Sequence, residues 1–125
     1  GAQLAYVQAL GVEVAPHNVQ VNAIAQNFVE NPTYFPPEVQ ANPKFQERLA
    51  REVPLGRLVS AEEDAQFAAY LCSRAADAFV GQVFPVSGGW AIRWRRAPRR
   101  APDRRQASAS VGPVAICKRG PMPSG

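Results

Sequence analysis

The residues best suited to recognise a small molecule crowd into residues 26–42, QNFVENPTYFPPEVQAN, where the amides of Gln26 and Asn27 stand within ten positions of the rings of Phe28, Tyr34 and Phe35. Three prolines interrupt the stretch and no helical or strand period runs through it, so it reads as a long loop. Loops of that length inside a compact domain are uncommon and often line a binding site or form a lid. The chemistry on offer is binding, by aromatic faces and a few polar groups. A plainer use of the same residues stays open: Tyr34 and Phe35 can anchor the loop on the domain, and Asn27 can satisfy the backbone of a turn. The loop is the candidate, more than any single residue in it.

Other chemistries find few residues to carry them. His17 is the only histidine, which leaves a zinc site without ligands. Cys72 lies in an apolar helical run and Cys117 in a polar tail; they are too few and too different in setting to read as a disulfide framework or a metal site, and a reduced, cytoplasmic protein is expected. Gly88-Gly89 lacks the spacing of a phosphate loop and reads as a chain reversal. No run approaches the ~18 apolar residues of a membrane span.

Several elements must position the loop. Leu4, Val7, Leu10 and Val14 fall at helical intervals with Ala2, Ala5 and Ala9 beside them, predicting a buried helix over residues 2–15 that Gly11 weakens by about 1 kcal/mol. Pro16-His17-Asn18 turns the chain into VQVNAIA, a strand of the kind found in covered sheets. After the loop, Asn42 caps a short helix with Pro43 at its first position, ending before Pro54. Ser60 and Glu63 form a capping-box pattern, and the helix they open sets Ala65, Ala68, Ala69 and Cys72 on one side with Phe67 and Leu71 adjacent. Residues 79–86 read as a second strand, stopped by Ser87-Gly88-Gly89. Strand, helical crossover and strand predict a right-handed parallel unit.

The charge divides the chain in two. Residues 1–92 carry five Lys/Arg against nine Asp/Glu, whereas residues 93–125 carry nine against one, with seven arginines inside residues 93–105 among Pro and Ala. Such a tail is expected to be disordered and to form no packed structure. It permits salt-sensitive, non-specific sticking to nucleic acid at most, since no reader fold accompanies it. A change of reading frame in a GC-rich gene would give the same composition, and composition favours that origin over a selected basic tail.

The series HNVQVNAIAQN, VPLGRLVSAEEDAQFAAYLCS and VGQVFPVSGGW resembles, in order, the last third of a short-chain dehydrogenase/reductase. The resemblance covers residues 1–90 and implies an α/β fold: the C-terminal part of a Rossmann-type, doubly wound parallel sheet, incomplete in this chain, over residues 1–92, with residues 93–125 as the Arg/Pro-rich tail. It implies an NAD(P)-dependent oxidoreductase acting on a carbonyl or alcohol of a small molecule, working as a homo-oligomer. Common dehydrogenases of the family carry Pro-Gly and then a nicotinamide-touching Thr where this sequence has Gln26-Asn27-Phe28. Gln26 is thereby the candidate cofactor contact, and Asn27, Phe28, Tyr34 and Phe35 the candidate substrate contacts. With Asn31-Pro32-Thr33-Tyr34-Phe35-Pro36, this stretch is also similar to the halohydrin dehalogenase branch, where an aromatic loop makes a halide pocket from N–H donors and aromatic edges.

The family's catalysis uses a Tyr-x-x-x-Lys or Tyr-x-x-x-Arg set, in which the basic residue lowers the tyrosine pKa toward neutrality. The resemblance places that tyrosine a few residues before Gly1 and the dinucleotide-binding glycines farther upstream. The chain alone is therefore expected to be inactive, with no catalytic residue, no cofactor and no metal of its own. Tyr70 and Arg74 match the string but stand on the wrong helix, so they are read as a decoy.

Overall fold

The computed structural model describes residues 2–92 and 114–118. The chain runs through α1 (Ala2–Val14), a 3-10 turn (Ala15–His17), β1 (Val19–Gln26), α2 (Pro37–Gln40), α3 (Pro43–Glu52), α4 (Ala61–Leu71), a second 3-10 turn (Arg74–Ala76), β2 (Val83–Val86), a third (Trp90–Ile92) and β3 (Val114–Lys118). The architecture is α/β, built on an incomplete Rossmann-type sheet with strand order β2-β1-β3. β1 and β2 are parallel, Ala23 beside Val83 and Gln26 beside Val86, and α4 lies in the connection between them.

β1 is central, and five of its eight residues, Gln20 to Ile24, are buried. Val7 of α1 packs on Val21 and Ala23 on one face, while Ile24 meets Leu71 and Ala76 on the other. Asn22, buried inside the strand, donates to the Phe79 carbonyl at 3.1 Å and accepts from the Gln82 amide at 3.0 Å. It thus ties β1 to the approach of β2 with both halves of its amide. The second strand is shorter than the apolar run 79–86 predicts: Gly81 sits at φ +64°, and the regular strand begins only at Val83.

The helix starts follow the sequence signals. The Asn42 side chain accepts from the Lys44 amide at 2.9 Å with Pro43 at the first position. Ser60 and Glu63 make both bonds of the capping box, at 3.0 and 2.8 Å. Two helix faces need correction. In α1 only Val7 and Gly11 are buried, and Tyr6 and Val12 are 66 and 69% exposed: the apolar spacing marks a face made for covering, and this chain covers only the stripe against β1. In α4 the inward stripe is Asp64, Phe67, Ala68 and Leu71, whereas Ala65 and Ala69 face outward and Cys72 lies just past the helix end.

The tail expectation also needs correction. Residues 114–118 form β3, antiparallel to β1 with Val21 opposite Ile116, because the free edge of β1 offers backbone partners to any extended apolar segment. That pairing carries Cys117 to the end of α4, where it forms a disulfide with Cys72 across a Cα–Cα distance of 5.4 Å, within the usual range. The cysteines judged unrelated by sequence are thus paired, 45 positions apart. The expectations for the arginine cluster fall on residues 93–113, outside the described residues. Among the described residues no helix is long and apolar enough to cross a membrane.

Candidate functional site

A cleft of about 510 Å³ opens at the carboxyl ends of the two parallel strands. Its lining includes all five candidate residues, Gln26, Asn27, Phe28, Tyr34 and Phe35, joined by Val29, Glu30, Asn31, Ala61 and Asp64. Open α/β sheets bind ligands outside the carboxyl ends of their strands, where loops are free to diverge while the sheet fixes their roots.

Gln26 ends β1, and the Asn27 amide continues the ladder by donating to the Val86 carbonyl at 3.0 Å. The chain then turns at Phe28, whose φ of +54° is unusual for a bulky residue. Two bonds hold it there: the Val59 amide donates to the Phe28 carbonyl and the Glu30 amide to the Val59 carbonyl, each at 2.8 Å. The ring is only 4% exposed and packs with Phe45, Leu49, Val53 and Leu58. Phe35 stacks on it at 6.1 Å and meets Phe45 at 5.4 Å, and the Arg48 guanidinium lies 5.4 Å from its centroid.

The anchoring and lining uses of the loop residues are therefore not alternatives for Phe28 and Phe35, which do both. Tyr34 is different: at 75% exposure it anchors nothing and stands at the rim.

The polar groups come from the loop and from the first turn of α4. The Gln26 amide nitrogen donates to Oδ2 of Asp64. Oδ1 of Asp64 is buried and has no hydrogen-bond partner among the described residues. A Glu30 carboxylate oxygen accepts from the Ala61 amide at 3.3 Å, and the Asn31 side chain accepts from the Thr33 amide at 2.8 Å. Near the same helix end, Arg57 grips Glu63 at 2.8 Å. The Arg57 hydrogen bond, followed by the Ser60 amide, holds the Glu63 carboxyl down at about 2.

Sequence reasoning missed Asp64 and Glu30. Asp64 had a signal: with Phe67, Ala68 and Leu71 it completes an i, i+3, i+4, i+7 stripe, so its carboxylate occupies the buried face of the helix. Glu30 offered none, since its approach to Ala61 depends on the Val29–Val59 bridge. Tyr70 and Arg74 do not line the cleft; Arg74 has left α4 for the following 3-10 turn.

The lining carries two carboxylates and no cation, and the sequence contains no glycine-rich βα turn.

Comparison with known proteins is consistent from sequence to structure. A family model described as enoyl-(acyl carrier protein) reductase matches residues 1–91. The 3-oxoacyl-[acyl-carrier-protein] reductase FabG of Aquifex aeolicus is 36% identical over 86 residues, covering 69% of this chain and 33% of its own length. A solved structure titled "Dehalogenation enzyme" is 38% identical with a TM-score of 0.66, over 70% of this chain and 36% of that one. The structure of YwfH, titled an NADPH dependent reductase involved in bacilysin biosynthesis, is 30% identical with a TM-score of 0.62, over 71% of this chain and 36% of that one. The chain spans about a third of the length of the curated relatives it matches.

Proposed function

Because this chain belongs to the short-chain dehydrogenase/reductase family, whose enoyl-(acyl carrier protein) reductase model matches its residues 1–91, we propose that it forms the substrate-binding, C-terminal part of an NAD(P)-dependent oxidoreductase that interconverts a carbonyl and an alcohol. One observation carries this reading: Gln26, Asn27, Phe28, Tyr34 and Phe35 converge on a single cleft at the carboxyl ends of β1 and β2.

In this reading the chain positions the substrate and leaves the chemistry to the rest of the enzyme. Phe28 and Phe35 wall off water, Tyr34 stands at the mouth, and Asn27 at the strand end faces the reacting group. Gln26 is held by Asp64, at the edge where a neutral nicotinamide ring would lie. The phosphates need a glycine-rich turn that these residues do not supply, so NAD(P) is held by other parts of a full-length enzyme. The proton exchanged with the carbonyl oxygen needs a Tyr-x-x-x-Lys or Tyr-x-x-x-Arg set, and no Lys or Arg stands among the lining residues. The chain alone is assigned no turnover. A homo-oligomer is part of the same reading, with the uncovered face of α1 available for burial.

The alternative, epoxide formation with halide release, has in its favour the aromatic lining and the likeness to the dehalogenation enzyme. Electrostatics weigh against it. A leaving halide needs donors and positive potential, whereas Glu30 and Asp64 line the cleft and the Asn27 backbone N–H is already bonded to Val86.

Fusing residues 1–92 to the upstream portion of an NADPH-dependent relative tests the choice. Consumption of NADPH with a ketone substrate is the expected result. Halide release without NADPH consumption, or neither activity from a soluble, folded fusion, overturns the oxidoreductase reading.

A further inference from the structure

The cleft carries an electrostatic imbalance that its shape alone does not explain. Glu30 and Asp64 line it, and no Lys, Arg or His does. The two arginines near its walls are already committed. Arg48 pairs with Glu52 at 3.3 Å, and Arg57, though close enough to feel the Glu30 charge, directs both guanidinium arms at Glu63. Neither Glu30 nor Asp64 has an ion-pair partner among the described residues.

Asp64 makes the imbalance specific. Its Oδ2 is used by Gln26, and its Oδ1 is removed from water with nothing to accept from. A carboxylate oxygen in that condition is costly, and such orphans are uncommon in folded proteins unless an ion, a water or a ligand completes them. Asp64 is part of the cleft lining, so a donor bound there can complete this oxygen while Oδ2 keeps the Gln26 amide. The rings of Tyr34 and Phe35 also line the cleft, and aromatic rings attract cations as well as apolar groups. Carboxylates and aromatic faces around a cavity of small-molecule size make a receptor for an organic ammonium group.

We propose that the cleft selects a substrate bearing a protonated amine, taken up by Asp64 and Glu30 against the aromatic wall, which makes the substrate an amino ketone or amino alcohol. The substrate class rests on reading the cleft as the pocket of a carbonyl-acting enzyme; the charge preference does not. Neutral ketones of the same shape lack the group that would complete Asp64, and anionic substrates are repelled.

Calorimetric titration of the 125-residue chain with three probes of similar shape, without cofactor, tests the preference: 2-phenylethylammonium, 2-phenylethanol and 3-phenylpropionate. The ammonium should bind about tenfold more tightly than the alcohol, and the carboxylate more weakly than either. Asp64→Asn and the more conservative surface change Glu30→Gln should each cut the ammonium preference about threefold or more while leaving the alcohol unchanged. Amide-proton dispersion in NMR spectra establishes that each variant is folded. Equal or tighter binding of the alcohol or the carboxylate overturns the proposal. So does a preference that survives both substitutions, or a folded chain that no probe saturates at millimolar concentration. Because no cofactor is present, failure here leaves the oxidoreductase reading standing, and loss of that reading leaves the charge preference intact.

Discussion

A β-carbon on Gly11 would stand 2.6 Å from the Cα of Gly81 and 3.2 Å from the Val21 carbonyl oxygen. Helix α1 lies against the sheet at this point with backbone meeting backbone, and Gly81, at φ +64°, presents its own amide to the Val21 carbonyl at 2.9 Å. Neither side has a flexible side chain to move aside.

Gly11→Ala therefore tests whether packing or propensity governs α1. Helix propensity alone predicts a gain of about 1 kcal/mol, whereas overpacking against fixed backbone costs roughly 1–3 kcal/mol. The clash should win, lowering the urea midpoint. A raised midpoint would mean that α1 does not approach Gly81 this closely.

Removal of the Cys72–Cys117 link is expected to be costly as well. The bridge closes a loop of 45 positions, for which chain-entropy reasoning gives about 4 kcal/mol. Cys117→Ser, or a dithiol reductant, should lower the denaturation midpoint and strip amide-exchange protection from residues 114–118 before it affects β1. Unchanged protection in the reduced chain would show that the strand pairing holds β3 without the bridge.

Acid stability should depend on Glu63. Its carboxyl falls from 4.5 to about 2 in the folded chain because Arg57 and the Ser60 cap bind the charged form. A depressed carboxyl contributes stability that is fully present above its unfolded value and is lost as pH falls through the folded one. Thermal melts should decline between about pH 4.5 and 2, and the Glu63→Gln variant should show a shallower decline over that window. The pair is exposed, so the decline should also flatten in high salt. Identical pH profiles for the two proteins would remove Glu63 from the account.

What was legible in the sequence was mostly local. The Ser60–Glu63 box and the Asn42-Pro43 start are bonds between residues two or three apart, so neighbouring residues determine them. The parallel pairing of β1 and β2 was legible because apolar runs separated by a helix have few other ways to bury themselves. The packing role of Gly11 was not legible because its partner, Gly81, lies 70 positions away. β3 and its disulfide escaped because edge pairing depends on an open strand rather than on any pattern in residues 114–118. In the cleft, the aromatic loop announced itself by composition. Asp64 stands beside Glu62 and Glu63 in an acidic first turn, and only its place on the stripe with Phe67, Ala68 and Leu71 sets it apart.

Phe28 offers the sharpest test of the site's architecture, because its backbone and its side chain make opposite demands. The ring fills the space between Phe45, Leu49, Val53 and Leu58, and deleting such a ring costs about 3–5 kcal/mol. The backbone sits at φ +54°, where a residue with a β-carbon pays roughly 1–2 kcal/mol that glycine does not. In a strand or helix, alanine is more stable than glycine by about 0.5–1 kcal/mol. At position 28 the order should invert: Phe28→Gly and Phe28→Ala should both be much less stable than the parent, with the glycine variant the more stable by about 1 kcal/mol. Urea melts in sulfate-containing buffer, which strengthens burial enough to keep both variants folded at the start, would read the difference. Alanine above glycine would show that the chain does not turn through a left-handed residue after Asn27, and the convergence of Gln26, Phe28 and Phe35 on one cleft would lose its structural basis.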